Sequence, residues 1–226
     1  MESSNSAAKL KVVGVGGAGG NAINDMMQSD IISDVEFIAI NTDRQDLERS
    51  LTQTRVLLGE GTGAGADPEK GKKAAKESEE AVREVLKGTD MLFITAGMGG
   101  GTGTGAAPIV AEVARGMGIL TVAVVTKPFD FEGPLKKNNA EIGIENLRKH
   151  VDTLIAIPNE KLFELPNISI TLMNAFKEAN GVLRVGIKGI SDLITKQGFV
   201  NLDFADVKAI MQDSGIAMLG FGEASG

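Results

Sequence analysis

The chain has 226 residues, of which 42% are hydrophobic and 23% are charged, a composition typical of a globular domain with a real core. Its net charge of −7 and its 4% aromatic content, with no Trp or Tyr, argue against binding to nucleic acid. The absence of cysteine excludes disulfides and thiol catalysis. No signal-peptide core and no apolar run of membrane-spanning length is present, so we expect a cytoplasmic protein without direct membrane insertion.

Strand-like and helix-like runs alternate along the chain after a tail, residues 1–8, that we expect to be disordered. The predicted strands are Lys11–Val15, Val35–Ile40, Arg55–Leu58, Met91–Thr95, Leu120–Thr126 and Thr153–Ile157. The predicted helices are Asn21–Gln28, Gln45–Ser50, Pro68–Lys87, Ala106–Met117 and Leu135–Lys149. The strands are β-branched and nearly unalternating, as when both faces of a sheet are covered. The alternation therefore predicts an α/β fold with a doubly wound, Rossmann-like parallel sheet.

The last third of the chain is dominated by a long helical pattern. Apolar residues recur every three or four positions over Thr171–Lys196, and glycines inside the pattern weaken it, so we expect a central packed helix. A short helix, Ala205–Gln212, and a strand-like run, Ile216–Phe221, follow. We therefore divide the chain into an α/β domain (9–170), a core helix (171–196) and a segment (197–226) that begins a further domain, because an ending at Gly226 resembles a cut.

Three glycine-rich segments follow predicted strands: Gly14–Gly20, Gly63–Ala66 and the run GGGTGTG at Gly99–Gly105. Glycine lets backbone N–H groups close on an anion at the positive end of a helix, and the two threonines of the last run add hydroxyl donors. The carboxyl ends of parallel strands share one edge of a sheet. Three such loops at that edge suit a nucleoside triphosphate better than the diphosphate bridge of a dinucleotide.

These residues alone do not decide which nucleotide is bound. Gly14, Gly16 and Gly19 form G-x-G-x-x-G, which together with Asp43 is also compatible with an NAD-dependent oxidoreductase. No P-loop motif is present and no lysine lies inside the glycine loops. The charge of the phosphates is then neutralised by helix N-termini, N–H groups and Mg²⁺, which is held mainly through phosphates and water. No residue is predicted as a metal ligand of the protein itself, and the lone His150 is interpreted as structural.

Several runs, taken in their order, resemble the FtsZ branch of the tubulin/FtsZ family. They are Gly14–Asn24, Ala39–Asp43, Gly63–Gly71, Phe93–Pro108, Thr126–Gly133, Leu147–Ile155, Pro158–Leu162 and Asn201–Met211. The resemblance covers nearly all of the chain from Lys9 onward. It implies a GTP-binding, GTP-hydrolysing cytoskeletal protein of bacterial cell division that polymerises head to tail and lies at the division ring at mid-cell. Its implied partners are further copies of itself and regulators that bind through regions partly absent from this chain.

The resemblance also implies a role for individual residues of a GTP/GDP site. Phosphates would be held by Gly16, Gly17, Gly20, Gly100, Gly101, Thr102, Gly103 and Thr104, with Ala64, Gly65 and Ala66 near the γ-phosphate. Glu132 would bind the ribose, Asn21 and Asn180 the guanine edges, and Phe176 the guanine ring, which reverses the core position otherwise expected of a lone Phe. Lys136 replaces the arginine usual in the family and lacks its planar fork. The loop with Gly63–Ala66, the third loop of the site along the chain after those of β1 and β2, is also shorter than in the family.

Hydrolysis in this family is split between two molecules, and the segment with Asn201, Asp203 and Asp206 would enter the site of the next subunit. Two carboxylates three residues apart can orient a water that attacks the γ-phosphate. A plain alternative for Asp203 is a helix N-cap, and for Asp206 a favourable charge in the first turn. A further alternative for the whole chain is a module that binds GTP and caps filaments without turnover.

Overall fold

The computed structural model describes residues 8–29, 32, 35–164, 170–171, 174–195 and 203–218. Within these residues, seven strands form one sheet in the order β3-β2-β1-β4-β5-β6-β7, and every neighbouring pair is parallel. The strands are β1 (Leu10–Val15), β2 (Val35–Asn41), β3 (Thr54–Leu57), β4 (Met91–Gly97), β5 (Leu120–Lys127), β6 (Thr153–Pro158) and β7 (Gly215–Ile216). The predicted α/β fold with a parallel sheet is therefore confirmed.

Helices cover both faces of the sheet. They are α1 (Gly16–Gln28), α2 (Arg44–Glu48), α3 (Pro68–Glu77), α4 (Glu79–Leu86), α5 (Gly101–Gly116), α6 (Pro134–Arg148), α7 (Ala175–Thr195) and α8 (Phe204–Met211). Short 3₁₀ helices lie at Asp130–Glu132 and Asn159–Glu164. Among the described residues, none of the helices combines the length and the apolar character that crossing a membrane requires.

The core consists of two apolar layers separated by the sheet. One layer joins Val13, Ile94 and Val125 to apolar side chains of α3, α4, α5 and α6. The other joins Val12, Phe93 and Val124 to apolar side chains of α1 and α7, with α8 packed at its margin. Successive strand residues point to opposite faces, so the unbroken apolar runs of β1, β4 and β5 supply both layers.

The predicted helix Pro68–Lys87 is wrong in one respect, because it is two helices. The first, α3, ends at Glu77, Ser78 lies between them with φ −111° and ψ 14°, and α4 begins at Glu79. The Ser78 hydroxyl accepts a hydrogen bond from the Gly59 N–H at 3.1 Å. This contact ties the junction of α3 and α4 to the loop after β3.

Two helices begin inside the glycine runs, although the sequence predicted turns there. α1 starts at Gly16 and α5 at Gly101, so most of these glycines are helical. A Cβ built on Gly105 would lie 2.0 Å from the Pro68 carbonyl oxygen, where α5 meets α3. The glycines thus permit helix backbones to approach each other closely, and this tertiary packing overrides their weak helix propensity.

The long helix α7 packs one face on the sheet through Leu183, Ile187 and Ile190. Val185 and Leu193 on another face are exposed, so α7 covers the sheet and is not enclosed on all sides. Of the predicted run Ile216–Phe221, the structure describes 216–218, and only Ile216 of these is in strand β7. Most of the expected amino-terminal tail, residues 1–7, lies outside the described residues.

Candidate functional site

A cleft of about 430 Å³ lies at the carboxyl ends of the strands, where the loops after β1 and β4 meet. In the strand order β3-β2-β1-β4-β5-β6-β7, connections from β1 run to one side of the sheet and those from β4 to the other. Such a switch point opens a crevice that ligands occupy in doubly wound folds. Each of the three glycine segments contributes residues to its lining.

The first wall of the cleft is the start of α1. Gly16 has φ +73°, a left-handed conformation that favours glycine, and a Cβ there would lie 2.9 Å from the Gly103 nitrogen. Val15 precedes the helix and supplies no side-chain cap. The first N–H groups of α1 are thus left without a side-chain acceptor at the end of the helix that favours anions.

The second wall is the start of α5. Gly100 precedes this helix, again without a side-chain cap, and Gly101, Thr102 and Gly103 line the cleft. α2 and α3 differ, because the carboxylates of Asp43 and Asp67 accept hydrogen bonds from their first N–H groups. Two uncapped helix N-termini therefore converge on one cleft, an arrangement suited to a polyanion such as a chain of phosphates.

The third loop, which contains Gly63–Ala66, closes the cleft from the side. Ala64 and Gly65 line it, and a Cβ on Gly101 would lie 2.4 Å from the Gly65 carbonyl oxygen, so loop and helix are in backbone contact. The loop is tied to the end of β2, since the Gly63 N–H donates to the Thr42 carbonyl at 2.9 Å. These two contacts, one with α5 and one with the residue after β2, fix the position of the third loop in the cleft.

An ion pair lies at the rim. One carboxylate oxygen of Glu132 accepts from the Phe129 N–H at 2.9 Å, and the other accepts from the Lys136 ammonium at 3.0 Å. Both residues line the cleft. Lys136 holds the Glu132 carboxylate from one turn further along the chain, at the start of α6.

Phe176 and Asn180 line the cleft from the first turns of α7. Phe176 is 52% exposed, so the ordinary expectation of a core phenylalanine does not apply. Its ring meets Phe129 edge to face at a centroid distance of 5.7 Å. The neighbouring rings hold it in place beside the cleft, where a flat apolar ligand group fits against it.

Four predicted residues do not line this cleft. Gly20 and Asn21 line an adjoining cavity of about 180 Å³ that shares Gly16 and Gly17 with it. Thr104 is buried, and its hydroxyl accepts from the Gly99 N–H at 2.7 Å, so it braces the loop. The fourth, Ala66, lies just outside, and its carbonyl accepts from the Asn139 side chain.

The predicted catalytic carboxylates do not line the cleft. Asp203 Oδ1 accepts from the Asp206 N–H at 2.9 Å, and Asp206 Oδ2 accepts from the Asp203 N–H at 3.4 Å, which is a capping box at the start of α8. Thr153, at the amino end of β6, donates to the Met211 carbonyl at the end of α8. The end of α8 at Met211 thus lies beside the amino end of β6, a strand length of about 20 Å from the carboxyl edge where the cleft opens. Asn201 lies outside the described residues.

The roles assigned from the sequence left out several residues of the lining, among them Asp46, Thr126 and Asn159. Asn41 and Thr42 also line the cleft; they belong to the run Ala39–Asp43, which was expected at this edge but received no individual role. Asn159 is buried, and its Oδ1 has no hydrogen-bond partner among the described residues. A buried amide oxygen without a partner facing a cleft indicates a polar ligand group. The signal was present, because Asn41 ends β2 and Asn159 directly follows β6, both at the carboxyl edge of the sheet.

Fold and cleft together define a doubly wound α/β domain with a glycine-lined anion site at the carboxyl ends of its strands. Residues 9–167 match the model of the Tubulin/FtsZ family, GTPase domain. The chain belongs to the Tubulin/FtsZ family, as its motifs predicted. Over 229 aligned positions it is 55% identical to the cell division protein FtsZ of Coxiella burnetii, covering the whole of this chain and 59% of that protein. The chain thus spans about three fifths of the length of this curated relative.

Solved structures of the family share the fold. An FtsZ dimer from M. jannaschii is 49% identical, with a TM-score of 0.89 over 94% of this chain and 63% of that one. CetZ2 from Haloferax volcanii, a protofilament with bound GTPγS, is 23% identical, with a TM-score of 0.77 over 92% of this chain and 64% of that one. The second likeness concerns the fold alone.

Proposed function

We propose that the chain binds GTP and GDP in the cleft, hydrolyses GTP, and polymerises head to tail as a cytoskeletal protein of bacterial cell division. The observation that carries the proposal is the convergence of two uncapped helix N-termini, α1 and α5, on a cleft of about 430 Å³. The family model matched by residues 9–167 is described as a GTPase domain, and the Coxiella relative as a cell division protein. The NAD alternative is not retained, because Asp43 caps α2 and the chain belongs to a different family.

In this proposal the phosphates lie against the backbone N–H groups of Gly16, Gly17 and Gly100–Gly103, and the γ-phosphate approaches Ala64 and Gly65. The base lies on Phe176 with Asn180 at its edge, and Glu132 binds the ribose. Support comes from the presence of all these residues in the lining of one cleft and from the Oδ1 of buried Asn159, which has no partner among the described residues. An amide side chain pairs readily with guanine, and an aromatic face suits any base.

The charge of the lining bears on Mg²⁺. Among the residues that line the cleft, Asp43, Asp46 and Glu132 are acidic, whereas Lys136 is the one basic residue. A triphosphate brought there needs a further cation to neutralise it. Within the described residues no group of three His, Cys, Asp or Glu side chains could hold a metal ion by itself. One carboxylate, Asp43 or Asp46, together with phosphates and water, fits the usual coordination of Mg²⁺.

Hydrolysis is proposed to require a second copy of the chain. Asp203 and Asp206 are not part of the cleft lining, and the helix that follows them ends beside the amino end of β6, so in this proposal they act on the γ-phosphate of another molecule. Exposed apolar side chains are present near both ends, with Phe131 and Leu135 beside the cleft and Ile210 on α8. A contact between two different surfaces of identical subunits repeats without closing and gives a filament. The relative from M. jannaschii is described as a dimer and that from Haloferax as a protofilament.

The alternative is a GTP-binding module that caps filaments without turnover, and the observation that favours it is the capping box, which gives Asp203 and Asp206 a structural role at the start of α8. In the cell we expect the protein in the cytoplasm at the division ring, with regulators that bind regions beyond those described. A fluorescent fusion that stays diffuse during division would contradict this location.

Ligand selectivity tests the proposal. The thermal unfolding midpoint of the chain is measured with GTP, GDP, ATP or NAD and Mg²⁺, because a ligand that binds only the folded state raises it. We expect GTP and GDP to raise the midpoint, and ATP and NAD to leave it unchanged at equal concentration. A shift with NAD, or no shift with GTP, would contradict the proposed ligand, and phosphate release from GTP would exclude the capping alternative.

A further inference from the structure

Thr42, the residue after β2, joins two loops of the cleft, and the sequence analysis assigned it no individual role in the GTP site. Its side chain is buried, with 3% exposure, and its Oγ1 lies 2.6 Å from Oγ1 of Thr102 in the first turn of α5. Its carbonyl oxygen accepts from the Gly63 N–H of the third loop at 2.9 Å. Both threonines line the cleft. One residue thus contacts the start of α5 through its side chain and the third loop through its backbone.

The backbone around Thr42 leaves it little freedom. The preceding carbonyl, that of Asn41, accepts from the Leu58 N–H at 2.9 Å, and the following residue, Asp43, caps α2 and forms an antiparallel bridge with Thr62. The third loop in turn touches Gly101 through backbone atoms. A hydroxyl attached to so constrained a backbone has a fixed position, which is the requirement for orienting a neighbour.

The direction of the hydrogen bond between the two hydroxyls decides what Thr102 can do. A hydroxyl has a single proton, so Thr102 is free to donate to a ligand only when it accepts from Thr42. Phosphate oxygens accept and do not donate. A phosphate beside Thr102 therefore selects one arrangement, in which Thr42 donates to Thr102 and Thr102 donates to the phosphate, and each bond in such a chain strengthens the next.

We propose that Thr42 is a positioning residue. Its side chain orients the Thr102 hydroxyl toward the ligand phosphates, and its backbone holds the third loop in a fixed position relative to Thr102. The inference rests on the proposed function, since it takes a nucleoside triphosphate as the ligand. Because the third loop lies on the side assigned to the γ-phosphate, Thr42 acts more on GTP than on GDP. The competing explanation is that the two hydroxyls only satisfy each other in a buried place.

The test compares the affinities of dilute Thr42→Val and Thr42→Ser chains for GTP and GDP. Valine keeps the shape and removes the donor, whereas serine keeps the hydroxyl. We expect Thr42→Val to weaken GTP binding about tenfold and GDP binding less than threefold, and Thr42→Ser to stay within threefold for both. Thr121→Val is the matched control, because Thr121 is a buried threonine outside the cleft lining whose hydroxyl donates to the Ile119 carbonyl.

A double-mutant cycle keeps the test decisive. If Thr42 acts through Thr102, Thr42→Val adds no further loss of GTP affinity in a Thr102→Val background. Wild-type GTP affinity of Thr42→Val would overturn the proposal. So would equal losses of affinity for GTP and GDP, a loss of affinity in Thr42→Ser as large as in Thr42→Val, or additive losses in the cycle. Failure of the unsubstituted chain to bind either nucleotide would overturn the proposed function and this inference together, and so differs from a failure of Thr42 alone.

Discussion

A Cβ atom on Gly16 would lie 2.9 Å from the backbone nitrogen of Gly103, so the N-termini of α1 and α5 meet with no room for a side chain between them. Gly16 also has φ +73°, where a side chain costs roughly 1–3 kcal/mol of stability. This contact brings the two uncapped helix ends onto one cleft. The anion site therefore depends on a glycine at this position.

Gly16→Ala is expected to destabilise the fold and to weaken GTP binding more than tenfold, because the helix ends must separate. Chemical denaturation and equilibrium binding measure the two effects. Gly189→Ala is the control, since Gly189 lies inside α7, is exposed, and would meet nothing within 4 Å of a Cβ. There we expect a gain of about 0.5–1 kcal/mol in the free energy of unfolding. Unchanged GTP affinity of Gly16→Ala would contradict the assigned phosphate site.

Asp203→Asn separates capping of α8 from catalysis. Asparagine is as good an N-cap as aspartate, so the midpoint of unfolding should stay close to that of the unsubstituted chain, whereas Asp203→Ala loses roughly 1 kcal/mol. GTP affinity should be unchanged in both variants, because Asp203 is not part of the cleft lining. Turnover in assembled protein should fall at least tenfold in both. Full turnover by Asp203→Asn would show that this carboxylate only caps the helix.

Lys136→Met is expected to weaken GTP binding several-fold. It removes the one ammonium of the cleft lining and leaves the Glu132 carboxylate without its partner. Lys136→Arg, which keeps the charge, should bind GTP at least as well as the unsubstituted chain. Isothermal titration compares these variants with Lys161→Met, whose ion pair with Glu164 lies outside the cleft and whose loss should leave GTP binding unchanged. An equal loss of affinity at both positions would indicate a general effect of net charge.

Leu135→Ser tests the surface beside the cleft. Leu135 is 65% exposed at the start of α6, and the proposed head-to-tail contact would cover it. We expect the protein concentration needed for turnover to rise, while GTP binding to dilute protein is unchanged. The control is Ile142→Ser, two turns further along the same helix and also exposed but away from the cleft. The same rise in both variants would argue against a contact at Leu135.

The sheet and the location of the cleft follow from local sequence, because apolar runs lead into glycine-rich segments at three of the loops that line it. The break at Ser78 does not, since no glycine or proline lies there, and the Ser78 hydroxyl bonds Gly59, a residue 19 positions earlier. The early starts of α1 and α5 could not be predicted from local sequence either, because backbone contacts between helices outweigh the poor helix propensity of glycine. Likewise, the contact between the hydroxyls of Thr42 and Thr102 could not be predicted, because hydrophobic periodicity does not tell which side chains meet in the fold.

GTP hydrolysis per molecule, measured with Mg²⁺ across a range of protein concentrations, tests the central claim most directly. Because Asp203 and Asp206 do not line the cleft of their own chain, the account predicts almost no turnover in dilute protein. The specific rate should rise once a threshold concentration is passed. A specific rate that is independent of concentration would contradict a site completed between subunits. GTP binding without turnover at any concentration would contradict hydrolysis by this chain and favour the capping module.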